Sequence, residues 1–201
     1  MKLISTILIS AAVFFTLNHI LPTNEEFEIY ENTVRLHVLA NSDSESDQSV
    51  KLKVRDALLE KISGYEATSK ETALQMIENN KEELCDVAEA VLKNEGMTQH
   101  VQIEIGEEHY PTRYYEDFAL PAGKYTSVRV IIGEGEGQNW WCVLYPPLCT
   151  ASAIKYDEDY CIEAGLTKGQ YNLITENESG EYRIKFRLLE IASEVFGFQY
   201  D

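Results

Sequence analysis

Asn32 to Asp56 reads N-T-V-R-L-H-V-L-A-N-S-D-S-E-S-D-Q-S-V-K-L-K-V-R-D, and its three parts decide the fold. Val34, Leu36, Val38 and Ala40 alternate with Arg35, His37 and Leu39, the period-two pattern of a strand with one apolar face. A Ser/Asp-rich turn follows. From about Asp47 to Ile62 the apolar residues Val50, Val54, Ala57, Leu58 and Ile62 return at helical spacing. Ser44 is the expected N-cap of that helix, and Asp47 stands where the acid of a capping box would stand. Leu52 and Leu59 lie on the opposite side, so the helix is expected between the sheet and another element, with an exposed partner-binding pair as the alternative.

The pattern extends outward from this stretch. Ser69 to Asn94 predicts one broken helix or two consecutive ones, breaking at Asn79-Asn80, with Ile77, Leu84, Ala88 and Val91 inward. Gln99 to Ile105 alternates as a strand, and His109 to Lys124 reads as a loop rich in aromatics. Tyr125 to Ile132 is a strand, Gly133 to Gly137 a turn, and Trp140 to Tyr145 a strand apolar on both faces. Residues 150–180 have weak periodicity and are expected to form a long loop. Ile184, Leu188, Ile191, Ala192 and Val195 mark a C-terminal helix. The order predicts an α+β two-layer sandwich, a largely antiparallel sheet backed by helices. The sheet's other face is expected to carry Arg35, His37, Gln102, Glu104 and Arg129.

The N-terminus carries an address. Lys2 precedes an apolar run from Leu3 to Leu17, interrupted by Ser5, Thr6, Ser10 and Thr16. This has the length of an export signal, whereas a spanning helix needs about 20 apolar residues. Residues 1–23 are therefore expected to be a signal peptide or, uncleaved, a signal anchor, which would then be the chain's one membrane attachment. Residues 24–31 read as an acidic tether, and residues 32–201 as a single α+β domain.

With 17 Lys and Arg against 34 Asp and Glu, the net charge is -17. Such a surface repels phosphate backbones and anionic headgroups, so nucleic acid is excluded as a partner and attachment through a basic patch is disfavoured. It suits a partner with a basic face, or solvent alone. Export also bears on the four cysteines, because it leads to a disulfide-permissive space. Cys142 and Cys149 flank Pro146-Pro147 and are expected to form a local disulfide. Cys85 reads as a small core hydrophobe and Cys161 as unpaired.

Sites of chemistry are sparse. Asn41, Asp43, Glu45 and Asp47 alternate like calcium ligands, but an EF-hand loop from Asn41 would need Gly and Glu where Ser46 and Leu52 stand. The glycines from Gly133 to Gly137 enclose Glu134 and Glu136, which would repel phosphate, and they lead into a strand. Cys142 has no basic neighbour to activate it, and Cys-x6-Cys lacks zinc-ligand spacing. No metal, no cofactor and no catalytic residue is expected. Trp140, Trp141, Tyr110, Tyr114 and Tyr115 are the candidates for partner binding, since Trp and Tyr are enriched at interfaces; internal packing is the alternative for each.

Three stretches resemble one family: Asn32 to Asp56, L-P-A-G-K-Y-T-S-V-R-V-I-I-G-E-G from Leu120 to Gly135, and G-Q-N-W-W-C-V-L-Y-P-P-L-C from Gly137 to Cys149. They are similar to stage II sporulation protein R of endospore-forming bacteria. The resemblance runs from about Asn32 to Cys149; after Thr150 it is loose. It implies a signalling protein and not an enzyme. Such a protein is made in the forespore and exported across its membrane into the intermembrane space. There it would bind and activate a membrane-embedded aspartic protease of the mother cell, which processes the sigma-E precursor. The alternative is an exported hydrolase acting on cell wall or peptides, using the polar sheet face.

Overall fold

The computed structural model describes residues 23–115, 117–148, 157–176 and 180–196, with positions 4, 6, 7, 10, 13, 14 and 21 of the N-terminal segment. The helices are α1 (Asn24–Phe27), α2 (Ile29–Asn32), α3 (Glu45–Ser63), α4 (Lys70–Asn79), α5 (Lys81–Asn94), α6 (Glu158–Glu163), α7 (Lys168–Thr175) and α8 (Gly180–Phe196). The strands are β1 (Val34–Leu39), β2 (Val101–Tyr110), β3 (Arg113–Tyr114), β4 (Ala119–Leu120), β5 (Gly123–Ile132) and β6 (Asn139–Tyr145). The chain divides into two compact units. The larger comprises Tyr30–Glu108 and Tyr125–Leu166; the smaller comprises Met1–Ile29, His109–Lys124 and Thr167–Asp201.

The larger unit is α+β, a mostly antiparallel sheet backed by helices. Its strand order is β2-β5-β1-β6. β1 is parallel to β5, with Leu36 opposite Val128, and antiparallel to β6, with Leu36 opposite Cys142. Val34, Leu36, Val38, Val128, Val130, Ile132, Val101 and Ile103 are buried on one face. α3 adds Val50, Val54 and Leu58 to the core, and α5 adds Leu84, Ala88 and Leu92. Asn80 ends α4 and begins α5. Leu52 is exposed and Leu59 half-buried, so α3 is not covered evenly on its second side.

The turn between β1 and α3 is tied to the turn between β5 and β6 by a dense set of hydrogen bonds. Ser44 is the N-cap of α3 and accepts from the Asp47 N–H at 3.2 Å. The Asp47 side chain does not reach back to close a capping box. Its Oδ2 accepts from Asn41 Nδ2 at 2.9 Å and Ser42 Oγ at 2.6 Å, and the Ser44 N–H donates instead to Ser42 Oγ. Asn41 and Asp43 then reach across. Asn41 Oδ1 accepts from the Glu134 N–H (3.1 Å) and Asp43 Oδ1 from the Gln138 N–H (2.7 Å). Buried Lys51 donates to the Gln138 carbonyl at 2.8 Å. The glycines make this approach possible. A Cβ on Gly137 would lie 2.2 Å from the Ser42 carbonyl oxygen, and Gly133 has a φ of +56° with the Asn41 side chain against it.

The smaller unit holds β3 and β4, which pair antiparallel, and the helices α1, α7 and α8. Two expectations change, over segments that each run across both units. The tether over 24–31 is helical, because Thr23 and Glu26 form a capping box. The loop expected over 150–180 contains α6, capped by Asp157, and α7, whose Thr167 and Gln170 form a second capping box. These helices are too short for periodicity to reveal, and their caps are the local signal. α8 is a helix as its spacing predicts, but it turns the other way: Ile184, Ile191 and Val195 are exposed, while Lys185, Phe186, Leu189 and Glu190 are buried. Buried bonds set that orientation. Lys185 donates to Glu26 at 3.1 Å, and Glu190 accepts from the Thr112 hydroxyl. Among the described residues no helix is long and apolar enough to cross a membrane, and the expected signal segment lies largely outside them.

The turn-to-turn bonds should carry measurable stability. Replacing Asn41 by Ala strands a donor on one turn, the Glu134 N–H, and takes a donor from the Asp47 carboxylate on the other, and should cost about 1–3 kcal/mol. Ser44→Ala should cost about 1 kcal/mol through the lost cap alone. The hydrogen bonds from Ser42 and Asn41 hold the Asp47 carboxyl below its ordinary range. A depressed folded pKa adds stability above the unfolded value and loses it as pH falls through the folded one. Urea melts between pH 2 and 6 should therefore show an acid-side loss that is smaller in Asp47→Asn.

Candidate functional site

The face of the four-stranded sheet away from the buried valines is where charge collects. Strand alternation places Arg35 and His37 of β1 there, with Tyr125, Ser127 and Arg129 of β5, Trp141 of β6, and Glu104 and Glu108 of β2. The register sets Arg35 beside Ser127 and His37 between Arg129 and Trp141. The polar face read from the sequence is thus present, and Glu108 is its centre. Sequence alternation fades after Ile105 at Gly106-Glu107-Glu108, yet β2 continues to Tyr110 and so brings Glu108 onto this face.

Glu108 gathers two hydrogen-bond donors and one ion-pair partner. His37 Nδ1 lies 2.9 Å from both carboxylate oxygens, Ser127 Oγ donates to Oε2 at 3.0 Å, and Arg129 Nε lies 3.9 Å from Oε1. An ionised carboxylate only accepts, so Nδ1 carries the imidazole proton in this pair. Arg129 also bridges to Glu104 at 3.3 Å. The Trp141 ring centroid is 5.4 Å from that of His37. Arg35 is 0 % exposed. Its Nε donates to the Cys142 carbonyl at 3.2 Å, and its guanidinium lies 5.0 Å over the Tyr125 ring, which packs on Tyr30. A Cβ on Gly106 would meet nothing, so the face is open between Glu104 and Glu108.

The arrangement orients an imidazole but does not arm a nucleophile. In a Ser-His-acid relay the hydroxyl donates to the imidazole, whose other nitrogen donates to the acid. Here Ser127 and His37 both donate to the same carboxylate. No group of three or more His, Cys, Asp or Glu side chains among the described residues could hold a metal ion. In the Asn41–Asp47 turn, the Asp43 and Asp47 carboxylates accept protein donors. What the face offers is a half-open, charged surface with an aromatic edge.

The aromatic candidates separate. Trp140 lies on the helix side of β6, half-buried, with the Arg55 guanidinium 4.7 Å from its ring centroid. Trp141 is half-buried on the charged face. Both belong to the larger unit, whereas Tyr110, Tyr114 and Tyr115 belong to the smaller. Tyr110 is 2 % exposed. Tyr114 is 74 % exposed, and Tyr115 stacks on Phe118 with centroids 4.5 Å apart. Cys142 is disulfide-bonded, and Cys85 and Cys161 are free. Cys149 lies outside the described residues. Burial pushes up the Cys85 thiol, and burial followed by the Asp157 charge pushes that of Cys161 to about 11.

The larger unit is thus an α+β unit with a charged, aromatic-edged sheet face. The model of the family described as stage II sporulation protein R matches residues 30–155. Stage II sporulation protein R of Bacillus subtilis (strain 168) is 33% identical over 191 residues, covering 86% of this chain and 85% of that protein. The chain belongs to the stage II sporulation protein R family and is a sporulation protein. No solved structure shows significant similarity to it.

The thiol states make a prediction. Alkylation of the folded protein under non-reducing conditions followed by peptide mass mapping should find Cys142 joined to Cys149. Cys85 and Cys161 should label slowly until the protein unfolds, because a raised thiol pKa and burial both suppress the reactive thiolate. Rapid labelling of Cys142 and Cys149 would refute the pairing.

Proposed function

We propose that this protein is an exported sporulation signal, delivered from the forespore into the intermembrane space, that activates a membrane-embedded aspartic protease by binding it. The protease then processes the sigma-E precursor. Membership of the stage II sporulation protein R family carries this reading. The apolar run from Leu3 to Leu17 supports the export step. A net charge of -17 suits a receptor with a basic face.

The binding step needs no chemistry from this chain. A ligand activates by binding the competent state of its receptor more tightly than the idle one. Trp141, half-buried beside His37, and exposed Tyr114 are the aromatic contacts the reading favours. The His37–Glu108 pair favours a second reading, an exported cell-wall or peptide hydrolase, because an oriented imidazole is half of a general-base device.

Co-expression with the protease and its substrate separates the two. Processing should require this protein and should be lost when a Val13→Arg change disrupts the apolar run, at about 2.5 kcal/mol or more of insertion cost. Trp141→Ala should reduce processing by a hot-spot cost of about 2 kcal/mol. It should change the melting temperature less than a fully buried substitution such as Leu36→Ala. If processing falls only in step with folding, Trp141 is a packing residue. If the purified protein turns over a peptide or wall substrate alone, and His37→Ala abolishes that turnover, the hydrolase reading replaces the activator.

A further inference from the structure

α8 is amphipathic in the inverted sense. It turns Lys185, Phe186, Leu189, Glu190 and Ser193 inward and leaves Ile184 (46 %), Ile191 (43 %) and Val195 (66 %) exposed, with half-buried Leu188 among them. The inward polar groups anchor this orientation. Lys185 bonds Glu26 at 3.1 Å, and Glu190 accepts from Thr112 and from the Ala122 N–H at 3.4 Å. The helix cannot roll its apolar stripe inward without breaking a buried ion pair. The stripe residues recur at intervals of four, three and four, the spacing of a coiled-coil seam. An apolar seam of this kind in an otherwise strongly acidic chain calls for a cover.

The charges beside the seam say which cover fits. Helical geometry puts Arg183, Arg187 and Glu194 on one flank, and all three are exposed. The other flank holds half-buried Ala192 and buried Lys185. The exposed charge is basic in the first half of the seam and acidic in the second. Two copies of α8 run antiparallel would set Leu188 of each against Ile191 of the other. They would also set Arg187 of each against Glu194 of the other, twice by two-fold symmetry. A parallel pair would face Arg187 with Ala192 and leave Glu194 unopposed. Within its own helix Arg187 already bridges Glu190 at 2.7 Å, which holds the guanidinium near this flank.

We propose that the α8 stripe is a self-complementary interface through which two copies of this protein pair antiparallel, with Ile184, Leu188, Ile191 and Val195 as the seam and Arg187–Glu194 as the flanking pairs. One helix pair buries little area, so the association is weak and concentration-dependent. The inference is independent of protease activation: it concerns what covers α8, whatever the receptor is.

Sedimentation of the full chain over a concentration series tests it. The wild type should shift from monomer to dimer. Glu194→Arg and Arg187→Glu should each weaken dimerisation by roughly tenfold, because each turns two attractions into two repulsions. An equimolar mixture of the two single variants should recover wild-type association, since each supplies the charge the other lacks. Ile191→Glu should abolish dimerisation with an unchanged melting temperature. A chain that stays monomeric throughout, or a dimer whose strength ignores these changes, overturns the proposal. Because Glu194 and Ile191 are exposed, their variants keep the test open even if Arg187→Glu disturbs the contact to Glu190.

Discussion

The junction between the turn after β1 and the turn before β6 is the constraint on which the larger unit rests. β1 lies inside the sheet, between a parallel and an antiparallel neighbour. Its register must be held against both at once, since a slip of one residue would exchange the apolar and charged faces. The bonds of Asn41, Asp43 and Lys51 to the Glu134–Gln138 segment lock the ends of three strands together. Asp47 is buried, and its carboxylate, held by Asn41 and Ser42, fixes the turn that aims α3 while its backbone N–H bonds the Ser44 cap. The alternating acids and the glycine run, which look like separate motifs, are two halves of one contact.

That register has a chemical consequence. It places a fully buried arginine and an oriented histidine on the face opposite the valine core. Burying a guanidinium is costly unless it is bonded and stacked, and Arg35 has both a carbonyl and the Tyr125 ring. Glu108 coordinates this face as Asp47 coordinates the turn: one carboxylate collects several donors and leaves little freedom among them.

The smaller unit shows the opposite assignment of polar and apolar groups. α8 buries an ion pair and a multiply bonded glutamate and turns an aliphatic stripe outward. A helix in this orientation is stable only if its buried polar groups are satisfied. Lys185 and Glu190 are, through Glu26, Thr112 and Ala122, which come from segments far apart in the chain.

The sequence by itself determined the strands around Val34, Val101, Val128 and Val143, the helices α3 to α5 and the break at Asn80. Periodicity, caps and turn formers are local signals, and each of these elements carries one. It also determined that Arg35, His37, Glu104 and Arg129 share a sheet face, because alternation alone implies it. The tertiary structure decided the rest. Glu108 joined that face because β2 outlasts its own apolar pattern. The parallel pairing of β1 with β5, and the meeting of Asn41 with Glu134, depend on contacts between residues distant in sequence, which no local pattern encodes. For α8 the spacing revealed the helix and its stripe but not which side turns inward. Buried hydrogen bonds made that choice, and their partners lie on other elements.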